Sequence, residues 1–230
     1  MSNGAFFTTR WTRVARSRGA SEEAKLALSE LCEAYYEPGQ GFIRATVRHD
    51  EKARDLTQGF FANVLSKSAF DGADPNRGRF RAFLLGAVKH YLWDRQRHDL
   101  TAKRGGGATT VPLEEDQTPS PELPPDQEFD RRWALTILAK ALCELRESME
   151  ANNEWAKFDA LKPLLTGDST GLRQADTAEQ LGLSENATKV AIHRLRRKFR
   201  ETVKAEIAQT LDDPDHIDAE LAYLQEALRS

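Results

Sequence analysis

The sequence is poor in cysteine, with two in 230 residues. Cys32 and Cys143 lie far apart and form no CxxC pair, so neither a disulfide framework nor a structural zinc site is expected. The plain reading is two small buried thiols in a reducing, cytoplasmic setting. Long apolar runs are also missing. No stretch approaches the roughly 18–20 apolar residues of a membrane-spanning helix, and no membrane association is expected. The N-terminal stretch carries Arg10, Arg13, Arg16 and Arg18 without an apolar core or a small-residue cleavage site, so it is not expected to act as a signal peptide. Alternating β-branched runs are absent, which argues against a sheet. There is no P-loop, GxSxG or HExxH, and His49, His90, His98, His193 and His216 show no metal-ligand spacing with carboxylates. No catalysis, cofactor or metal is expected. Charge of one sign is lacking too: 33 Lys and Arg against 36 Asp and Glu give a net −3, which alone argues weakly against nucleic acid.

What is present is charge that alternates along the chain. The net is +6 over 77–104, −7 over 105–130, +6 over 189–204 and −6 over 205–230. Residues 105–130 hold three consecutive glycines, five prolines and seven acids, with no Lys or Arg. Such a segment buries too little apolar surface to offset its ordering entropy, and reads as a flexible, partly polyproline linker. It divides the chain into a first domain, 1–104, and a second, 131–211, followed by a C-terminal extension, 212–230.

Both flanks read as helical. Apolar residues recur at 3–4 residue spacing over 22–36 (Leu28, Leu31, Tyr35), 51–66 (Leu56, Phe60, Val64) and 79–97 (Phe80, Leu84, Val88). The same spacing recurs over 131–150 (Leu138, Leu142, Leu145) and 154–165 (Phe158, Leu161, Leu165). Gly, Pro and Asn76 mark a loop before the third of these helices. The expected fold class is all-α: two small helical bundles joined by the linker.

The most specific pattern is TAEQLGLSENATKVAIHRLRRKFRE, residues 177–201. A first helix ends at Leu181, and Gly182 supplies a left-handed turn. Leu183 is placed to fill the angle between the helices, and Ser184 to cap the second. This order reads as a helix-turn-helix, whose second helix enters the DNA major groove. Ala187, Val190 or Ala191, Ile192, Leu195 and Phe199 supply its buried side. Its cations suit phosphate contacts, and Glu185, Asn186 and Lys189 are placed to reach base edges. A solvated basic helix within a bundle is the alternative. In the first domain, the basic tract 77–104 interleaves Phe80, Phe83, Tyr91 and Trp93. Trp93 falls off the apolar stripe, either as a platform for an unpaired base or packed on a neighbouring helix.

These segments together resemble the extracytoplasmic-function (ECF) class of bacterial RNA polymerase sigma factors. RDLTQGFFANVL (54–65) resembles their polymerase-docking helix, GRFRAFLLGAVKHYLWDRQRH (78–98) the helix that melts and reads the −10 element, and 178–201 the −35 reader. The resemblance implies a sigma factor whose partners are core RNA polymerase and promoter DNA, duplex at −35 and melted at −10. It implies polymerase contacts from Asp55, Leu56, Gln58, Phe61 and Val64. It implies −10 contacts from Asn76, Arg79, Trp93, Arg95 and Arg97, and −35 contacts from Ser184, Glu185, Asn186, Lys189, His193, Arg194 and Arg197. The acidic linker would lie in the basic cleft of the polymerase, or serve only to solubilise. Control by an anti-sigma factor or a regulatory kinase would come from outside, with Thr57 as a candidate phosphate acceptor. The alternative is a two-domain regulator binding duplex DNA without polymerase.

Four features depart from the family pattern, one being the long approach to the motif over 150–175, which contains GDSTG. Thr188 stands where an apolar β-branched residue is usual, so its hydroxyl must find a partner. Gly59 interrupts the docking helix, at a cost of about 1 kcal/mol relative to Ala. The acidic extension 212–230 carries Asp213 and Pro214 as a helix start and a stripe of Ile217, Leu221, Leu224 and Leu228. A terminal helix is expected there, either stabilising one domain or shielding the basic recognition helix.

Overall fold

Every regular element among the described residues is a helix, as the 3–4 residue spacing requires. The computed structural model describes residues 21–66, 79–105, 123–165, 171–211 and 213–229. The expected N-terminal arginine run, the loop with Asn76 and most of the expected linker lie outside them. The α-helices are α1 (Glu22–Val47), α2 (Asp50–Ser66), α3 (Phe80–Gly105), α4 (Pro125–Ala151), α5 (Trp155–Leu161), α6 (Gly171–Leu181), α7 (Glu185–Ala208) and α8 (Ile217–Ala227). Short 3-10 turns at Lys162–Leu164 and Pro214–His216 follow α5 and precede α8.

Three helices extend well past their expected limits, α3 by running on to Gly105. α1 continues through Pro38 to Val47. A proline inside a helix removes one backbone bond, but Phe42 and Ile43 beyond it are buried, and their packing carries the helix on. α4 begins at Pro125, within the segment expected to be linker. Proline suits the first helical turn, and Asp126 and Glu128 lie where the helix dipole favours acids. The acids at 126–130 therefore start a helix whose Phe129 and Trp133 are buried.

The chain divides into two compact units: residues 1–136 with 208–230, and residues 137–207. The divisions fall inside α4 and at the end of α7. The core of the first unit is built from Leu31, Tyr35 and Ile43 of α1, Phe60 and Val64 of α2, Phe80, Leu84 and Val88 of α3, and Phe129 and Trp133 of α4. Tyr35 meets Phe80 edge-on, with ring centroids 5.0 Å apart. α8 belongs to this unit and buries Leu224 and Ala227. Its apolar stripe is thus used within the first unit, which answers where the C-terminal extension packs. The core of the second unit joins Leu145 and Met149 of α4, Phe158 and Leu161 of α5, Leu164, and Ala191, Ile192 and Leu195 of α7.

Candidate nucleic-acid and polymerase surfaces

In the second unit, Gly182 sits at φ +62°, the left-handed conformation its position requires. The Gly182 amide donates to the Glu179 carbonyl at 3.1 Å and the Leu183 amide to Ala178 at 2.9 Å. That pair of bonds is the Schellman ending of α6. Ser184 then opens α7: its Oγ accepts from the Ala187 amide at 3.3 Å, the N-cap bond. Thr188 is fully buried, and its hydroxyl donates to the Ser184 carbonyl at 3.1 Å. The polar residue at the unusual position therefore satisfies itself against its own helix. Ala191, not Val190, takes the buried position. Leu183 is partly exposed and lines a groove with Leu161, Leu181 and Val190, so it does not plug the turn.

Ser184, Glu185, Asn186, Lys189, His193, Arg194 and Arg197 are all exposed on α7 or its cap, opposite the buried Thr188, Ile192 and Leu195. One arginine of the same run has another task. Arg196 donates to the Leu164 carbonyl through Nε at 3.1 Å and Nη2 at 2.8 Å, closing the 3-10 turn. A count of charges along the sequence cannot separate this clamp from its neighbours. Glu154 is held below the ordinary carboxylate range by its hydrogen bond from Lys157, whose Nζ lies 2.9 Å away.

In the first unit, α3 carries the expected aromatic and cationic surface. Trp93 is 55% exposed, so it is not packed on a neighbouring helix. The Arg97 guanidinium lies 4.8 Å from its ring centroid. Arg95 lies over Tyr91 and donates to its hydroxyl at 3.2 Å. Arg79 stands one residue before α3, with Nη1 2.6 Å from Glu220 Oε2 of α8. Asn76 lies outside the described residues.

On α2, Asp55 and Gln58 are exposed and Leu56 is half-buried. Phe61 and Val64 are each 5% exposed and belong to the core. Phe61 packs on Phe60 and Tyr36 at 5.0 and 5.2 Å between ring centroids. Both are therefore removed from the candidate polymerase surface, because helical spacing places them on the face that carries Thr57 and Phe60. Thr57 is itself fully buried, its hydroxyl donating to the Ala53 carbonyl at 2.7 Å. A kinase has no access to it in the folded unit, which overturns the expectation of a phosphate there. Among the described residues, no group of His, Cys, Asp and Glu is placed to hold a metal ion, and no helix is long and apolar enough to cross a membrane.

The ECF sigma factor family matches residues 22–205, most of the chain and all of α1 through α6. The chain belongs to the ECF sigma factor family. Its members act in transcription initiation. No curated protein and no solved structure matches this ECF sigma factor. The match stops short of α8, so Glu220 and the C-terminal helix lie beyond what the family defines.

Proposed function

We propose that this ECF sigma factor binds core RNA polymerase and directs it to promoters, reading duplex −35 DNA with α7 and melted −10 DNA with α3. The observation that carries the reading is the Trp93–Arg97 pair: a large exposed aromatic face backed by a guanidinium on a basic helix. Stacking of unpaired bases on such a face contributes about 1–3 kcal/mol per base. A regulator confined to duplex DNA has no use for it.

In this reading the first unit docks on polymerase through the outer face of α2, at Asp55, Leu56 and Gln58. It captures the melted strand through Arg79, Trp93, Arg95 and Arg97. The second unit takes phosphates and base edges through Ser184, Glu185, Asn186, Lys189, His193, Arg194 and Arg197. Cations with one exposed end suit phosphate contacts, which set affinity and its salt dependence. The protein itself performs no chemistry, works in the cytoplasm beside polymerase, and is subject to an external inhibitor such as an anti-sigma factor.

The test is transcription from a promoter library with core polymerase, with and without the protein. Initiation from a subset of promoters only when it is present is the expected result. Duplex binding without initiation from any promoter would favour the polymerase-independent regulator instead.

A further inference from the structure

A carboxylate beyond the family match sits on the arginines that begin the −10-reading helix. Glu220 of α8 is 1% exposed at its side chain, and its two oxygens serve two different guanidinium groups. Oε1 accepts from Arg81 Nε at 3.2 Å, and Oε2 lies 2.6 Å from Arg79 Nη1 as an ion pair outside hydrogen-bond geometry. Arg81 is fixed from every side. Its Nη1 reaches Asp130 at 2.5 Å, and its guanidinium carbon lies 5.1 Å from the Trp133 ring centroid and 4.1 Å from that of Tyr223. Tyr223 in turn donates to Asp130 at 2.5 Å. Two cations and two carboxylates close an even set of charges, as burial demands. The segment leading to α8 holds the same place by its backbone: the amide of Phe80, first residue of α3, donates to the Thr210 carbonyl at 3.2 Å.

We propose that Glu220 is a positioning residue for promoter opening: from the C-terminal helix it orients Arg79 and Arg81, and with them the first turn of α3, for capture of the melted −10 strand. The proposal rests on the sigma-factor reading above.

Exposure separates this role from that of a displaceable lid. A carboxylate that competes with DNA has to be reachable and has to leave. Glu220 is buried and tied to Arg81, which is tied to Asp130, so it stays. Arg79 keeps 31% of its side chain exposed, and the edge turned from Glu220 can meet a phosphate. An arginine held by a buried carboxylate enters the complex with its rotamer entropy already lost, which is what pre-organisation supplies. The acidic tail therefore does not repel DNA from this site. It aims one cation that receives it, Arg79, and anchors the buried Arg81 beside it.

The experiment uses the full chain with core polymerase and two forms of one promoter that the wild type selects: fully duplex, and with a mismatched bubble at −10. Glu220→Gln keeps the volume and removes the charge. Initiation should fall about tenfold on the duplex and stay within about twofold of wild type on the bubble, since only the first template requires strand capture during opening. Loss of folding would lower both templates alike, and an equal loss on both overturns the proposal. Arg79→Gln removes a cation that itself meets the melted strand, so it should lower initiation on both templates. Adding Glu220→Gln to it should bring little further loss on the duplex, because both act through one contact. Additive losses would overturn the proposal. Undiminished Glu220→Gln activity beside an active wild type overturns the proposal alone. An inactive wild type on both templates overturns the sigma-factor reading and the proposal with it.

Discussion

A methyl group on Gly59 would stand 2.6 Å from the hydroxyl oxygen of Tyr91, so the missing side chain is the room that hydroxyl occupies. The glycine weakens α2 by about 1 kcal/mol relative to alanine, and the contact with α3 explains its presence. Gly59→Ala alone is expected to be neutral or destabilising, because Tyr91 is packed at 5.5 Å on Phe60 and has to move. With Tyr91→Phe the next ring atom is 3.8 Å away, an ordinary contact. In that background Gly59→Ala should raise stability, by up to about 1 kcal/mol. Melting temperatures of the four proteins of the cycle check this. Equal effects of Gly59→Ala in both backgrounds would contradict it.

Thr57 makes the second case. It is fully buried and bonded to the Ala53 carbonyl, an oxygen of its own helix. Thr57→Val removes the hydroxyl without exposing a new polar group, and should leave folding and polymerase-dependent initiation near wild type. Thr57→Glu places an unpaired charge in the core and should destabilise the first unit by about 3–5 kcal/mol. Any loss of polymerase binding in that variant then follows unfolding, visible in its denaturant midpoint. A well-folded Thr57→Glu protein would contradict this account.

What the sequence made legible follows the range of the forces involved. Helix positions, the turn at Gly182 and the cap at Ser184 depend on neighbours within a few residues, and the spacing of apolar residues shows them directly. The outer-face role of Phe61 and Val64 came from the family resemblance alone, whereas the apolar spacing already set Val64 on one stripe with Phe60, and both are buried. Residue pattern alone leaves open whether an aromatic meets the core or a partner. The helix start at Pro125 was hidden by acids that read as linker, although acids also favour a helix N-terminus. The Arg81–Glu220 pair joins residues 139 positions apart. The net charge of −3 conceals it completely, since the pair contributes zero to that sum.

Arg196 and Arg194 are two residues apart and should separate stability from DNA binding. Arg196 gives two hydrogen bonds to the Leu164 carbonyl, while Arg194 is exposed on the face opposite the core. Arg196→Leu is expected to destabilise the second unit by about 1.5–3 kcal/mol, the range for hydrogen bonds from a charged group. Arg194→Ala should stay within about 0.5 kcal/mol of wild type in stability. Its DNA affinity should fall and depend less steeply on salt, by about one unit of slope for a lost phosphate contact. Denaturation curves and salt titrations of duplex binding decide between these roles. A stable Arg196→Leu protein that binds DNA weakly would assign Arg196 to the DNA instead.

Alkaline pH should loosen the first unit through buried Tyr35, half-exposed Tyr223 and the buried thiol of Cys32. Burial pushes the Tyr35 phenol above its ordinary value of 10.0. Tyr223 is raised as well, first by burial and then by its hydrogen bond to Asp130. Burial also carries the Cys32 thiol from 9.0 up to about 12. All three are acids that ionise later in the folded unit than in the unfolded chain, so the folded state favours their neutral forms. Their contribution is whole below the unfolded values and is lost as pH rises through them toward the folded ones. The melting temperature should therefore hold level from about pH 7 to about pH 9 and then fall through about pH 11. Tyr35→Phe keeps the ring against Phe80 and removes one titrating group, so its decline above about pH 10 should be shallower than that of the wild type. Parallel declines for the two proteins would show that Tyr35 is not among the groups responsible.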